Sequence, residues 1–245
     1  MIKKIITLFI FMFGISPLFA HYIWLETAST GKLNKEHTVR VYFGEYTYGK
    51  IEKVDDEAFQ NVKDFTIWVV SPNGTKQKLK PVAKTDFYEA TFVPTQDGTY
   101  TITLDNKNMD VLDYTKYDYA IFKPQYHAKT KVVVGEVVNE TKPTNPNSIE
   151  IIDVSKSLVT QNSEVILKVL YKGSPLMDNE VSIFIQDLWS KKLTTNEKGE
   201  VSFKLPFKTT YTIETTFEEK TPGKFKGKDY ALTWHCATYC IKLHH

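Results

Sequence analysis

The stretch Pro94-Thr95-Gln96-Asp97-Gly98-Thr99-Tyr100-Thr101-Ile102 reads as the end of one strand, a corner and the start of the next. Asp and Gly tolerate positive φ, so Asp97-Gly98 permits the reversal of direction. Outward from it, Tyr88-Glu89-Ala90-Thr91-Phe92-Val93, Phe65-Thr66-Ile67-Trp68-Val69-Val70 and Thr38-Val39-Arg40-Val41-Tyr42-Phe43 alternate with period two, the signature of half-buried strands. Ser71-Pro72-Asn73-Gly74 is a further turn, because Pro fixes its own φ and Asn and Gly accept a positive one. A polar stretch, 44–63, interrupts the pattern and predicts a loop or short helix over one end of the strands.

The alternation continues. Tyr119 to Val134 predicts two strand segments, broken or bulged at Pro124. Asn139 to Ser148, with Pro143 and Pro146 among Thr, Asn and Ser, has the composition of a linker. Ser163 to Leu170, Val181 to Ile185 and Glu200 to Phe203 then predict a second set of strands. The expectation is an all-β protein: two immunoglobulin-like or carboxypeptidase-regulatory-like β-sandwich domains in tandem, 21–140 and 149–245, joined by a linker at 141–148.

Residues 1–20 predict a secretory signal peptide: Lys3 and Lys4, the apolar run Ile5 to Phe13, and Leu18-Phe19-Ala20 before the cut. The apolar run falls short of the about 18 residues that a membrane span needs, so no stable membrane insertion is expected after cleavage, and the destination is periplasmic or secreted. Loss of the leader leaves 29 basic against 29 acidic side chains. A neutral chain gives no electrostatic case for nucleic acid. Two cysteines do not make a disulfide scaffold.

Cleavage after Ala20 would make His21 the first residue, and a terminal histidine offers one cation both its α-amine and its imidazole Nδ1. Chance rarely places histidine there. The opening His21-Tyr22-Ile23-Trp24-Leu25 resembles the His-x-x-Trp-aliphatic start of an uncharacterised secreted family linked in places to nickel or cobalt uptake. Gly173-Ser174-Pro175-Leu176 and Thr195-Asn196-Glu197-Lys198-Gly199 are similar to that family too. The resemblance implies a periplasmic, metal-linked protein, and with His21 the expectation is a carrier that holds copper, nickel or cobalt and hands it to a membrane metal transporter. Amine-plus-imidazole ligation also resembles the histidine brace of copper chaperones and lytic polysaccharide monooxygenases.

A brace needs a second imidazole. His127, after the Pro-broken strand, is the first choice; His37, in a turn, reads more readily as a solvated loop residue. The tail, Trp234-His235-Cys236-Ala237-Thr238-Tyr239-Cys240, is a rival concentration of metal-ligand types. Cys236 and Cys240 lie roughly 13 Å apart if extended, so a disulfide would need a bend; disulfide, metal site and two buried thiols all stay open. His244-His245 reads as a frayed terminus or a tag remnant. Trp24, Trp68, Trp189 and Trp234 read first as core, with Tyr114, Tyr117 and Tyr119 the best exposed aromatics. No phosphate loop, Gly-x-Ser-x-Gly elbow or His-Glu-x-x-His helix occurs, which disfavours hydrolases. The expected function is therefore a metal-binding protein rather than an enzyme, with a copper monooxygenase acting on a polymer, or a metal-free structural or adhesion protein, as the alternatives.

Overall fold

The computed structural model describes residues 21–155 and 157–243. The expected leader, its cut after Ala20, and His244-His245 lie outside the described residues. The main strands in chain order are β1 (Tyr22–Thr27), β2 (His37–Glu45), β3 (Thr66–Val70), β4 (Tyr88–Phe92), β5 (Gly98–Asn106) and β6 (Ile121–Val134). They continue with β7 (Ile149–Asp153), β8 (Glu164–Tyr171), β9 (Glu180–Ile185), β10 (Trp189–Thr194), β11 (Glu200–Lys204), β12 (Thr210–Glu219) and β13 (Leu232–Lys242). The protein is all-β, as the alternation predicts. Among the described residues no helix is long and apolar enough to cross a membrane.

Three main sheets form. β1, β2 and β4 make one, β7, β8 and β11 another, and the large sheet runs β10-β9-β12-β13-β6-β5-β3. The large sheet draws on both halves of the chain, because β13, at the far end of the sequence, pairs in parallel with β6 from Phe122↔Leu232 to Lys129↔Tyr239. Successive side chains of a strand point to opposite faces, and here each face meets its own core. Tyr126, Ala128, Val132, Val134 and Cys236 pack with Ile23, Leu25, Val39 and Val41 of the first sheet. Ala237, Tyr239 and Ile241 pack with Ile149, Ile151, Val165 and Leu167 on the other side. A strand covered on both faces loses the alternation that marks a half-buried one, which is why the tail stretch reads as a cluster of ligand types instead of as a central strand.

The corner at Pro94–Ile102 is held by a tyrosine. The Tyr100 hydroxyl accepts from the backbone N–H groups of Thr95 and Gln96, at 3.0 and 3.1 Å, and donates to the Gln96 carbonyl at 3.0 Å. This is the tyrosine-corner device of Greek-key sandwiches. The second half repeats it: the Phe207 N–H donates to the Tyr211 hydroxyl at 2.7 Å, and that hydroxyl donates back to the Phe207 carbonyl at 2.9 Å.

The proline-bearing segment 141–148 is fastened at several points. The Thr141 N–H donates to the Asp153 carbonyl, the Lys142 N–H to Thr101 Oγ1, and the Thr144 N–H to Glu150 Oε2. Beneath it, two ion pairs join β6 to β7, Lys129–Glu150 at 2.5 Å and Lys131–Asp153 at 2.7 Å, all four side chains at least nine-tenths buried. Removing one partner of such a pair strands the other charge in a dry interior, at a cost of about 3–5 kcal/mol.

Tyr100→Phe and Tyr211→Phe keep ring packing and delete only the corner hydroxyl, leaving backbone donors without an acceptor. Each substitution is expected to lower stability by about 1–3 kcal/mol, read as a lower urea midpoint at unchanged denaturant slope; an unchanged midpoint would show that the corners hold nothing.

Candidate functional site

His21 stands just ahead of β1, which pairs with β2 so that Tyr22 faces Gly44. Gly44 has φ +149°, and a Cβ there would lie 2.2 Å from the Lys50 carbonyl oxygen, so only glycine permits a close return of the chain at this point. The backbone turns through Tyr46–Tyr48 and comes back against the end of β2 as Lys50–Ile51, with the Glu52 N–H donating to the Phe43 carbonyl at 2.9 Å. That return brings Glu45 and Glu52 to either side of the His21 ring.

The imidazole is held tightly on one side and poorly matched on the other. Nε2 lies 2.6 Å from Glu52 Oε1, which also takes the Lys50 ammonium at 2.7 Å. The Lys50 bond holds the Glu52 carboxyl below the usual range, against the effect of burial and with help from His21. A carboxylate can only accept, so Nε2 carries the hydrogen and a neutral ring has its lone pair on Nδ1. Nδ1 faces Glu45 Oε1 at 3.7 Å, beyond hydrogen-bond range. Glu45 Oε1 is buried and makes no hydrogen bond. Three other buried polar atoms among the described residues share that condition, but each belongs to a group with a polar partner close by: Lys131 and Glu150 sit in the ion pairs above, and Tyr171 meets Lys172 and Glu219. Glu45 Oε1 has only His21 Nδ1 opposite it, at 3.7 Å.

The rest of His21 is fixed. Its carbonyl accepts from the Tyr126 hydroxyl at 2.9 Å, and its ring packs on Phe43 at 5.3 Å between centroids. The side chain is 22% exposed, toward a cleft of about 800 Å³ whose walls include Phe43, Tyr126, Trp234 and the segment 58–64. The polar stretch 44–63, which contains the short helix Glu57–Gln60, thus builds both the carboxylate pair and one side of the cleft. Behind Glu45, the Tyr46 hydroxyl donates to Glu214, whose carboxyl is pushed up to about 7 by burial.

The other described histidines are engaged elsewhere. His37 is buried at the start of β2 with Nε2 2.7 Å from Thr27 Oγ1. That hydroxyl donates to the Thr38 carbonyl, so it accepts from His37. His127 follows Tyr126 and therefore points to the opposite face of β6, away from His21. There His127 and His235 meet across Ser148. Asp105 Oδ1 lies 2.7 Å from His127 Nδ1, His127 Nε2 lies 2.6 Å from Ser148 Oγ, Ser148 Oγ lies 2.7 Å from His235 Nδ1, and His235 Nε2 lies 3.4 Å from Glu219 Oε2. Asn145 Nδ2 adds a contact of 2.8 Å to His127 Nδ1. Asp, His and Ser in this order have the connectivity of a nucleophilic triad. Ser148, however, is fully buried and its oxygen is shared between two imidazoles, so it offers no substrate a hydroxyl.

Cys236 and Cys240 are both buried and free. Cys236 lies in the first core, and Cys240 sits beside Trp24 and Tyr46. Burial pushes both thiols up, away from the thiolate that a metal needs. Of the six residues singled out from the sequence, the structure brings His127 and His235 together, keeps His37, Cys236 and Cys240 apart from them, and gives His21 an open setting. Glu45 and Glu52 escaped the sequence reading; the break in alternation at Gly44-Glu45 was the available signal. Among the described residues no three His, Cys, Asp or Glu side chains converge on one point as a metal site.

A family model described as a domain of unknown function, DUF4198, matches residues 18–219. A search of curated proteins finds no significant match. Among solved structures, a DUF4785 family protein from Legionella pneumophila subsp. pneumophila str. Philadelphia 1 aligns with a TM-score of 0.31 and 10% identity. The alignment covers 78% of this chain and 52% of that one, so the chain spans about half the length of that protein. A likeness of this score carries no argument.

Burial holds the His127 imidazole below its ordinary value despite Asp105, and burial together with the neighbouring His127 lowers His235 to about 4. A lowered histidine value means that the unfolded chain takes up protons first. Stability contributed by these rings is therefore complete above about pH 6.5 and is lost as pH falls from there toward 4, by on the order of 3 kcal/mol for His235 alone. Urea midpoints measured from pH 7.5 to 4 are expected to fall over that window, and to fall less in His235→Gln; equal slopes in the two proteins would refute the assignment.

Proposed function

The chain belongs to the DUF4198 family, whose model spans most of its length, and we propose that this member is a secreted or periplasmic metal-binding protein that holds a divalent transition-metal ion at His21. One observation carries the reading: the buried Glu45 Oε1, which makes no hydrogen bond, faces Nδ1 of His21 across 3.7 Å. A buried carboxylate oxygen without a hydrogen bond is unfavourable, and a cation held between it and the imidazole nitrogen would relieve it. The separation is within the span of two metal–ligand bonds of about 2.0–2.2 Å each.

Cleavage after Ala20 would add the His21 α-amine, completing two nitrogens and one carboxylate oxygen from a single short region. Glu52 would be the outer carboxylate, fixing the ring tautomer and orientation as carboxylates do behind metal-bound histidines. Nitrogen and oxygen donors of this kind suit copper(II), nickel(II) and cobalt(II). The resemblance of His21–Leu25 to a family linked with nickel or cobalt uptake supports the same choice of ions and a membrane transporter as recipient. The setting of His21 favours a carrier over a polymer-cleaving monooxygenase. His21 lies in a cleft walled by the segment 58–64 rather than on a flat aromatic face, and His37, His127 and His235 are each bonded elsewhere.

The test is calorimetry with copper(II), nickel(II) and cobalt(II) on protein beginning at His21. One extra N-terminal residue and Glu45→Gln are each expected to weaken binding sharply, and Glu52→Gln to weaken it by about ten- to a hundredfold. A metal needs the imidazole neutral and the carboxylate ionised, so affinity is expected to fall as the pH is lowered. Equal affinity in the native and extended forms would defeat the proposal.

A further inference from the structure

The cleft beside His21 is larger than a metal ion requires. Its volume of about 800 Å³ lies within the range of small-molecule sites, about 300–1,000 Å³. On the metal-binding reading above, the protein supplies three donors at most, and copper(II) or nickel(II) takes four or more. The remaining positions open only toward the cleft, because Glu52 occupies Nε2, Phe43 covers one side of the ring and Tyr126 holds the carbonyl. We propose that the cleft seats a small organic chelator, bearing a carboxylate and an aromatic or apolar body, that completes the coordination of the ion at His21.

The wall supports an aromatic body. Rings run without a gap from His21 through Phe43, Tyr126, Trp234 and Phe122 to Tyr114, with successive centroids 5.3, 6.3, 5.7, 6.4 and 5.2 Å apart. All six rings line the cleft. Such a surface offers faces and edges for a planar group to stack against. The rim supports a carboxylate. Lys226 is committed to Asp110 at 2.9 Å and to the Asn108 carbonyl at 2.8 Å. The Lys228 ammonium, also at the rim, is exposed and makes no close ion pair or side-chain hydrogen bond among the described residues, with Asp110 near enough only to feel its charge. It is the cation that an incoming carboxylate would meet; Asp64, Asp110 and Glu218 also line the cleft, so Lys228 and the open positions of the ion, rather than the charge of the cleft as a whole, would seat it.

Quinoline-2-carboxylate, a bidentate nitrogen–oxygen chelator with an aromatic body, is a suitable probe, with acetate as the control that lacks the body. Nickel(II) alone, the probe alone and both together would be titrated into the full chain beginning at His21, followed by calorimetry and by the fluorescence lost in Trp234→Phe. The probe is expected to bind the nickel-loaded protein at least about tenfold tighter than the metal-free protein, with nickel tightened reciprocally. Lys228→Ala and Tyr114→Ala should weaken the probe several-fold while leaving the affinity for nickel alone unchanged. Removal of nickel from the protein by the probe, binding no tighter than acetate, or indifference to both substitutions would overturn the chelator. Failure of nickel alone to bind would instead overturn the metal site, and the chelator with it.

Discussion

The parallel pairing of β6 with β13 is the constraint on which the other features rest. It joins the last strand of the chain to one formed near its middle, and it places both strands inside the protein with a core on each face. An interior strand has no solvent side on which to put polar groups, so every polar side chain along it needs an internal partner. Such partners are visible along both strands: Lys129 with Glu150, Lys131 with Asp153, His127 and His235 with Ser148, Thr238 with the Ile23 carbonyl. Several of them reach the segment 141–148 or β7, so the same requirement that satisfies β6 and β13 also anchors the chain between the two halves.

His21 obeys the opposite logic. Around the paired strands the buried charges sit in close ion pairs, whereas Glu45 Oε1 has only His21 Nδ1 opposite it, beyond hydrogen-bond range. Gly44 makes this arrangement, since its backbone conformation lets the return at Lys50–Ile51 approach closely enough to set Glu45 and Glu52 on either side of one ring. Of the four buried polar atoms without a hydrogen bond among the described residues, the one on Glu45 stands beside a ring that lines the cleft.

Much of the fold could be read from the sequence. Alternation located β2, β3, β4 and β8, and Asp97-Gly98 located the corner that Tyr100 holds. What escaped is physical in origin. β13 escaped because burial on both faces erases period two, and its His and Cys residues then stood out as ligand types when they are interior groups. Tyr211 escaped because its corner carries Lys208-Thr209-Thr210 where a recognisable turn signal would stand. At the candidate site, His21 was legible because its place in the chain is unusual in itself. Glu45 and Glu52 were not, because carboxylates in a polar stretch look alike until a backbone bend selects two of them. His127 was drawn toward His21 by its place beside Pro124 and Tyr126 in the sequence, yet adjacency along a strand means opposite sides of a sheet.

Ser148 carries one hydrogen and stands between two imidazole nitrogens. It can donate to only one of them, so the other must donate to it. The two rings cannot choose their tautomers separately: with His127 Nδ1–H directed at Asp105, each group of the row passes its hydrogen toward the Asp105 end, whereas the reverse order suits Asn145 Nδ2 at His127 and Glu219 at His235. Reversing any one member reverses all those beyond it. Two rings on different strands, from different halves of the chain, thereby share a single binary state written in hydrogen positions alone, without any movement of heavy atoms.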